Sequence, residues 1–491
     1  MLKNIISLLM AISFSMFSRY CMIEDARIET MITILVSFVT SFWCVRKTID
    51  EWIEYYKKEK AGIAISVILA MIVIGNKGVV AVPALAYLFS WLYMKILPVA
   101  LGLWESVEAE QKNIYKKMTI MLSLVVVVLY CLDNRWYLQM DHVYSMDSRW
   151  VFEEIFPQAL YYDIRHPALS IITFPIWAII SALAELLAPT QLAELITACG
   201  IQFLNIQCLL ITGLIIGKLS KSKWTQLLYY CSMPTLLFGI FFEKYQICVF
   251  LLAVYTYIVC ETTKDSSESI ILATGTMPTS AFIFVAELLN KESLVKKVQR
   301  IAKVFLKGIL FIICFGRIHM LNIGKTLAEL SEMTSSFGGT ELELAEKING
   351  FNNMVQGSFI ALSSSHKSGL FTAPVVYFWD NILTESSIVS VVMIGLMILG
   401  LVIGWKEKFA KVCGVWSLFS AVLIIGMQWS VQESPLFSIY FSWAFIPLFQ
   451  RGIQFLIEKF KWKEKTVYYL ILIIMLLINV TTLYDIDKYL S

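Results

Sequence analysis

The residues best suited to chemistry lie in one polar stretch, 133–165, which interrupts a strongly apolar chain. The stretch contains six acidic residues and three arginines, with tryptophan and tyrosine between them. Arginine can hold a phosphate through two hydrogen bonds, a carboxylate can take a proton from an attacking hydroxyl, and aromatic faces pack against a sugar or an isoprenoid chain. Such a set suits a site that joins an anionic lipid carrier to a polar acceptor. The alternative is an ordinary surface loop, because tryptophan and tyrosine collect at every membrane interface.

Composition places this stretch in a membrane protein. Of the 491 residues, 58% are hydrophobic and 16% are charged, whereas soluble globular proteins are about 25% charged. A soluble enzyme is therefore excluded. The net charge is only +3, and no basic surface indicates a nucleic-acid partner. The ten cysteines show no Cys-x-x-Cys spacing and are expected to be free thiols in apolar surroundings.

The apolar runs predict an all-α fold class, a polytopic transmembrane helix bundle of about 13–15 spans with two exoplasmic loops that bear short helices. A bilayer core of about 30 Å needs close to 20 apolar residues per helix, and backbone groups in lipid must be paired within the helix. The first run lacks the small-residue cleavage site of a signal peptide, so we expect a retained helix. The candidate spans are 2–18, 29–45, 61–75, 79–102, 118–132, 166–187, 193–217, 224–242, 245–260, 269–288, 304–320, 385–405, 412–430, 436–457 and 466–484.

Clusters of lysine and arginine set the predicted orientation, because cytoplasmic loops retain these residues. With a cytoplasmic N-terminus, a count of the spans puts five basic loops inside and the polar stretches 133–165 and roughly 321–370 on the exoplasmic face. Lys218, Lys221 and Lys223 land outside on the same count, which leaves the side of that turn open. The predicted location is the plasma membrane. The five basic loops are Arg46–Lys60, Lys112–Lys117, Lys291–Lys307, Lys406–Lys411 and Arg451–Lys465.

Residues 161–169 read Tyr-Tyr-Asp-Ile-Arg-His-Pro-Ala-Leu, and Asp147 precedes the His166-Pro167 pair by 19 residues. This arrangement resembles the first exoplasmic loop of the GT-C superfamily of integral-membrane glycosyltransferases. It resembles in particular the protein O-mannosyltransferases and the bacterial aminoarabinose and galacturonate transferases of lipid A. In these families an acidic residue soon after a membrane helix precedes a His-Pro or Pro-Pro pair that opens the next helix. Two further segments are typical of these bacterial proteins, Phe-Phe-Glu-Lys-Tyr at 241–245 and Ser-Ile-Tyr-Phe-Ser-Trp-Ala-Phe at 438–445.

The resemblance covers about residues 118–460 and has two departures. Four candidate spans precede the loop, where these families usually have a single helix, and Asp147 is followed by Ser148 rather than by glutamate. On this basis the chain divides into four parts. They are N-terminal transmembrane helices at 1–117, a GT-C-like transmembrane core at 118–320 with the first exoplasmic loop at 133–165, a second exoplasmic loop region at 321–384, and C-terminal transmembrane helices at 385–491.

The resemblance implies an integral-membrane glycosyltransferase that moves a sugar from a polyprenyl-phosphate donor to a cell-envelope lipid, glycan or protein acceptor on the exoplasmic face. The reaction is displacement at the anomeric carbon with inversion. Asp147 is the first choice for the base that deprotonates the acceptor, with Asp141 and Asp163 behind it. The substrate-binding candidates are Arg149, Arg165, His166, Asp163, Arg317 and His319.

The substrate-binding candidates have different expected roles. Arg149 and Arg165 would contact the phosphate or the donor, and His166 would orient the loop or bind phosphate. Arg317 and His319 lie where a predicted span meets the second polar stretch, and an ionisable residue there is a candidate for phosphate binding. Snorkelling to the membrane surface explains such an arginine equally well.

No cofactor is predicted, although a divalent metal ion stays open. His142, Asp147, His166 and His319 could furnish ligands, but their spacing matches no dedicated metal site. In the second stretch the pattern around 327–351 is amphipathic. It indicates either a helix on the membrane surface or a lid that binds the acceptor.

Competing functions also fit a polytopic chain. The main alternative is a transporter or flippase, or a polymerase, of lipid-linked surface polysaccharide, and a non-catalytic scaffold is the third. A transporter should carry charged or helix-breaking residues at mid-membrane depth, and the sequence shows few of these. Two long polar loops favour an enzyme whose chemistry lies outside the membrane.

Overall fold

The computed structural model is a bundle of helices. It describes residues 2–23, 27–58, 60–74, 79–133, 135–138, 158, 163–262, 266–285, 293–322, 324–326, 328–329, 331–332, 343–360, 364–366, 375–377, 385–428 and 434–490. The helices are α1 (Leu2–Tyr20), α2 (Arg27–Lys58), α3 (Lys60–Ile74), α4 (Val82–Ser106), α5 (Ala109–Leu132), α6 (Arg135–Leu138), α7 (Leu169–Leu187), α8 (Thr190–Leu219), α9 (Lys223–Tyr230), α10 (Met233–Ile240), α11 (Tyr245–Glu261), α12 (Ser267–Thr276), α13 (Leu294–Cys314), α14 (Leu344–Gly357), α15 (Glu385–Gly404), α16 (Lys408–Ala421), α17 (Ser434–Phe460) and α18 (Glu464–Leu490). Shorter elements are the 3-10 helices Val79–Ala81, Pro278–Phe284 and Ile318–Leu321, the π-helical turn Val422–Gly426, and the antiparallel strands β1 (Ser364–His366) and β2 (Val375–Tyr377).

Within the described part of the chain, six helices are long and apolar enough to cross a membrane. They lie in α2, α5, α7, α8, α16 with its π-helical extension, and α18, and shorter apolar helices lie in α3, α11 and α15. Helices of this length and composition satisfy their own backbone polar groups with internal hydrogen bonds, which is the condition for crossing a bilayer. The chain is a multi-pass membrane protein, and the predicted all-α class is confirmed.

The centre of the bundle is formed by α8 and α17. α8 packs against α5, α7, α9 and α11, and α17 packs against α14, α15 and α16. Residues 438–450 of α17 are buried without interruption. A helix that is enclosed on all sides lies inside the protein rather than against lipid.

α15 and α17 approach each other closely at two glycines. A Cβ atom on Gly400 would meet the carbonyl oxygen of Leu448, and one on Gly452 would meet the carbonyl oxygen of Leu396. Small residues let membrane helices bring their backbones together, where packing replaces the hydrophobic effect as the source of association. The crossing of these two helices therefore depends on the missing side chains.

The predicted span 224–242 is divided into two short helices. α9 ends at Tyr230, and Pro234 lies in the first turn of α10, where proline sacrifices no helical hydrogen bond. The side chain of Asn479 in α18 donates a hydrogen bond of 2.9 Å to the carbonyl oxygen of Cys231 at the break. A partner distant in sequence thus satisfies a carbonyl that the interrupted helix leaves open.

Two other predicted spans also differ. The run 269–288 begins as α12 but changes at Pro278 into a 3-10 helix. The run 304–320 is replaced by α13, which begins at Leu294 and carries most of the predicted basic loop Lys291–Lys307 within its helix. Hydropathy averaged over a span does not register a proline that changes the helix type or a basic face on one side.

The turn after α8 lies at the same end of the bundle as the start of α5 and of α18. Lys223 forms an ion pair of 2.7 Å with Glu110, and Trp224 donates a hydrogen bond of 2.7 Å to Glu464. Lys218 donates to the carbonyl oxygen of Ser106 at 2.9 Å. The span count placed this turn on the face opposite the basic loops and left its side open, whereas these contacts hold it beside the first turn of α5 and the start of α18.

Candidate functional site

Asp163 and Arg165 form an ion pair just before α7. The carboxylate of Asp163 accepts hydrogen bonds from the backbone N–H, the Nε and the Nη2 of Arg165 at 2.8, 3.0 and 3.2 Å. Burial raises the pKa of Asp163, but the hydrogen bonds and charge of Arg165 outweigh burial and hold the pKa below its usual value. Asp163 is therefore an anion at neutral pH that orients Arg165, and it is poorly suited to accept a proton.

His166 fastens this segment to the end of α12. Its Nδ1 donates a hydrogen bond of 2.7 Å to the carbonyl oxygen of Thr276, and the side chain is buried. Burial, reinforced by the positive charge of Lys244, lowers the pKa of His166 to about 4. The ring is thus neutral at pH 7, with its lone pair on Nε2. Of the two roles expected for His166, this geometry favours orientation of the loop.

Arg317 contacts the same segment from a distant part of the chain. Its side chain is 1% exposed, and it donates to the carbonyl oxygen of Pro167 at 3.2 Å and to the Oγ of Ser170 at 3.1 Å. The arginine follows Gly316, whose φ of +74° is a conformation that favours glycine. His319 lies in the next 3-10 helix and is half-buried. Arg317 is thus hydrogen-bonded to the residues at the start of α7. The sequence marked Arg317 as a candidate only by its residue type and did not predict this contact.

Glu243 and Lys244 lie at the break between α10 and α11. Their side chains are 0% and 3% exposed. Asn205, the sixteenth of the 30 residues of α8, donates a hydrogen bond of 2.5 Å to the carbonyl oxygen of Glu243. The break therefore lies beside the middle of a helix that is long and apolar enough to cross a membrane. An ionisable pair at that depth is a functional candidate.

Side-chain amides satisfy the open end of α10. Gln202 and Gln246 both donate from Nε2 to the carbonyl oxygen of Phe238, at 2.9 and 2.8 Å. Interrupted helices persist within a membrane only where such partners replace the lost helical bonds. The amide oxygens of Asn205 and Gln246 are buried without a hydrogen-bond partner among the described residues. They can accept a hydrogen bond from a hydroxyl group.

Aromatic contacts bring together three residues that lie far apart in the sequence. The ring of Tyr245 lies 6.1 Å from that of His166 and 5.4 Å from that of Tyr440, measured between centroids. These residues come from 161–169, 241–245 and 438–445. The three segments stand out separately in the sequence, and nothing in their spacing predicts that they meet. The signal for Glu243 and Lys244 was an acidic–basic pair inside an otherwise apolar run.

The predicted base is not among the residues that the structure describes. Asp147, Arg149, Asp141 and His142 are outside the described residues, so the roles of Asp147 and Arg149 stay predictions. In the part of the chain that the structure covers, no three His, Cys, Asp or Glu side chains are grouped closely enough to hold a metal ion. The described residues form a charged, aromatic site between the start of α7 and the break before α11.

The class that fold and site define is a helical multi-pass membrane protein with a largely buried charged site. Comparison with family models, with curated proteins and with solved structures finds no match for the chain.

Proposed function

We propose that the protein is an integral-membrane glycosyltransferase that moves a sugar from a polyprenyl-phosphate donor to a cell-envelope lipid, glycan or protein acceptor. One observation carries the proposal: His166 and Tyr440 both contact Tyr245, and these residues belong to the segments 161–169, 438–445 and 241–245. They are the segments that resemble GT-C enzymes, and they lie far apart in sequence. A chance likeness of separate segments would not require them to share a site.

The chemistry of the site supports transfer from a phosphate. Arg317 and Lys244 supply positive charge, and Arg165 supplies it within its ion pair with Asp163. Cations stabilise a phosphate as it leaves. Positive charge suits a sugar phosphate better than a neutral lipid.

In the proposed reaction, the acceptor hydroxyl attacks the anomeric carbon and the bond from that carbon to the phosphate oxygen breaks. Asp147 takes the hydroxyl proton, and polyprenyl phosphate leaves with the electron pair. Asp163 is an unsuitable base because Arg165 occupies its carboxylate. Asp147 therefore stays the first choice, with Asp141 as the alternative. A positioned base contributes about 10²–10⁴ in rate.

The test is sugar transfer from a radiolabelled polyprenyl-phosphate sugar pool in membranes that contain the full chain. Asp147→Asn should reduce transfer by about 10²-fold or more while the protein still inserts. Glu185→Gln, which removes an exposed carboxylate at the far end of α7, is the matched control and should transfer at the wild-type rate. Full activity of Asp147→Asn would remove the base assignment, and no transfer by the wild type across several donors would remove the enzyme proposal.

A second candidate is a transporter or flippase of lipid-linked sugars. The observation that favours it is the buried pair Glu243 and Lys244 at a helix break beside the middle of α8. Transporters commonly bind substrate at interrupted helices near mid-membrane. In sealed vesicles, a flippase would move a labelled lipid-linked sugar between leaflets, and Lys244→Gln would slow that movement. Transfer chemistry without movement between leaflets would eliminate this candidate.

A further inference from the structure

α13 is an amphipathic helix whose N-terminal half is largely exposed, while residues 307–314 are partly buried. None of its 21 residues is buried. Leu294, Val298, Ile301 and Phe305 follow one another at intervals of three or four residues, so they lie on one face. All four are exposed, and Phe305 is 69% exposed. A face of this kind is unstable in water and needs an apolar environment.

The opposite face of α13 is basic. Lys296, Arg300, Lys303 and Lys307 repeat the same spacing, displaced by two residues, which is about 200° around the helix. Lys307 pairs with Glu268 on α12 and anchors the C-terminal part of the helix to the bundle. The two faces thus separate apolar and cationic side chains over residues 294–307, and the last turns, 308–314, are uncharged.

We propose that α13 lies in the membrane interface, with its apolar face in the acyl region and its basic face bound to anionic phospholipid headgroups. A helix with one strongly basic and one apolar face is typical of this position. α13 lies next to the membrane, because it packs directly on α2. α2 is one of the helices long and apolar enough to cross the membrane. Charge complementarity selects the partner, since clustered lysine and arginine attract anionic lipid.

Hydrogen–deuterium exchange of the full chain in lipid nanodiscs tests this inference. The peptide that covers residues 294–306 should exchange at least tenfold more slowly in phosphatidylglycerol than in phosphatidylcholine. Each cation near an anionic surface contributes about fivefold in affinity, so the triple variant Lys296→Gln, Arg300→Gln, Lys303→Gln should lose on the order of 100-fold. Its exchange in phosphatidylglycerol should equal that in phosphatidylcholine.

The matched control removes three exposed lysines from another turn, as Lys461→Gln, Lys463→Gln, Lys465→Gln. This variant should keep the difference between the two lipids. High salt should abolish the difference in the wild type, because salt screens exposed charges, and this arm requires no substitution. Equal exchange of the wild type in both lipids would overturn the inference and indicate another cover, such as a second copy of the chain.

Discussion

Replacing His166 by asparagine separates the hydrogen bond that this side chain donates from the proton that its ring can bind. Asparagine can still donate a hydrogen bond to the carbonyl oxygen of Thr276, which accepts from His166 Nδ1 at 2.7 Å. It cannot take up a proton. The variant should therefore keep the attachment of the loop to α12 and lose the pH dependence that the buried ring imposes on stability.

The size of the effect follows from the pKa of the ring. A histidine in the unfolded chain titrates near 6.5, whereas burial and the charge of Lys244 lower the pKa of folded His166 to about 4. Below pH 6.5 the unfolded chain binds a proton that the folded protein does not, so stability falls as the pH falls, until about pH 4. Between pH 7 and pH 5 the free energy of unfolding should drop by about 2 kcal/mol from this group.

Thermal unfolding of the purified full chain, followed by tryptophan fluorescence at pH 7 and pH 5, measures this difference. The wild type should lose a few degrees more than His166→Asn over that interval. Lys244→Gln, which removes the second cause of the lowered pKa, should give an intermediate loss. If the wild type and His166→Asn lose the same stability between the two pH values, the inference that His166 is buried and neutral is refuted.

Two further predictions concern packing and topology. Gly400→Ala should destabilise the protein by about 1–3 kcal/mol, because the added methyl group meets the backbone of Leu448. Gly395→Ala, which has no atom within 4 Å of the added methyl group, should be neutral or slightly stabilising in the same thermal scans. Equal effects of the two variants would contradict the close crossing of α15 and α17. Cysteines introduced at Lys221 and Lys463 should react with a membrane-impermeant maleimide from the same side of sealed vesicles. The reason is that Lys223 and Glu464 lie at one end of the bundle. Labelling from opposite sides would contradict that arrangement.

The helices were largely predictable because each depends on a local property. A run of apolar residues must be helical in lipid wherever it occurs, and α8 and α17 follow the predicted spans 193–217 and 436–457 to within a few residues. Breaks were less predictable. Pro234 in the apolar run 224–242 is compatible with a kinked helix or with two helices, and only the partner on α18 decides between them.

The site was predictable in residue type and not in arrangement. Arg165 and His166 stood out because charged residues beside a Pro-opened helix are conspicuous. That Arg317 contacts Pro167 depends on how α13 turns at Gly316, which no local pattern encodes. Glu243 stands out only within a short motif, because no local pattern predicts that Asn205 of α8 contacts its backbone.

The contact between Asn479 and Cys231 has a consequence for biosynthesis. The two residues are 248 positions apart, and ribosomes add about 5–20 residues per second. The carbonyl group at the break between α9 and α10 therefore waits for on the order of 10–50 seconds before its partner has been synthesised. During that interval the nascent bundle carries an open polar defect, which makes the arrival of α18 the step that closes it.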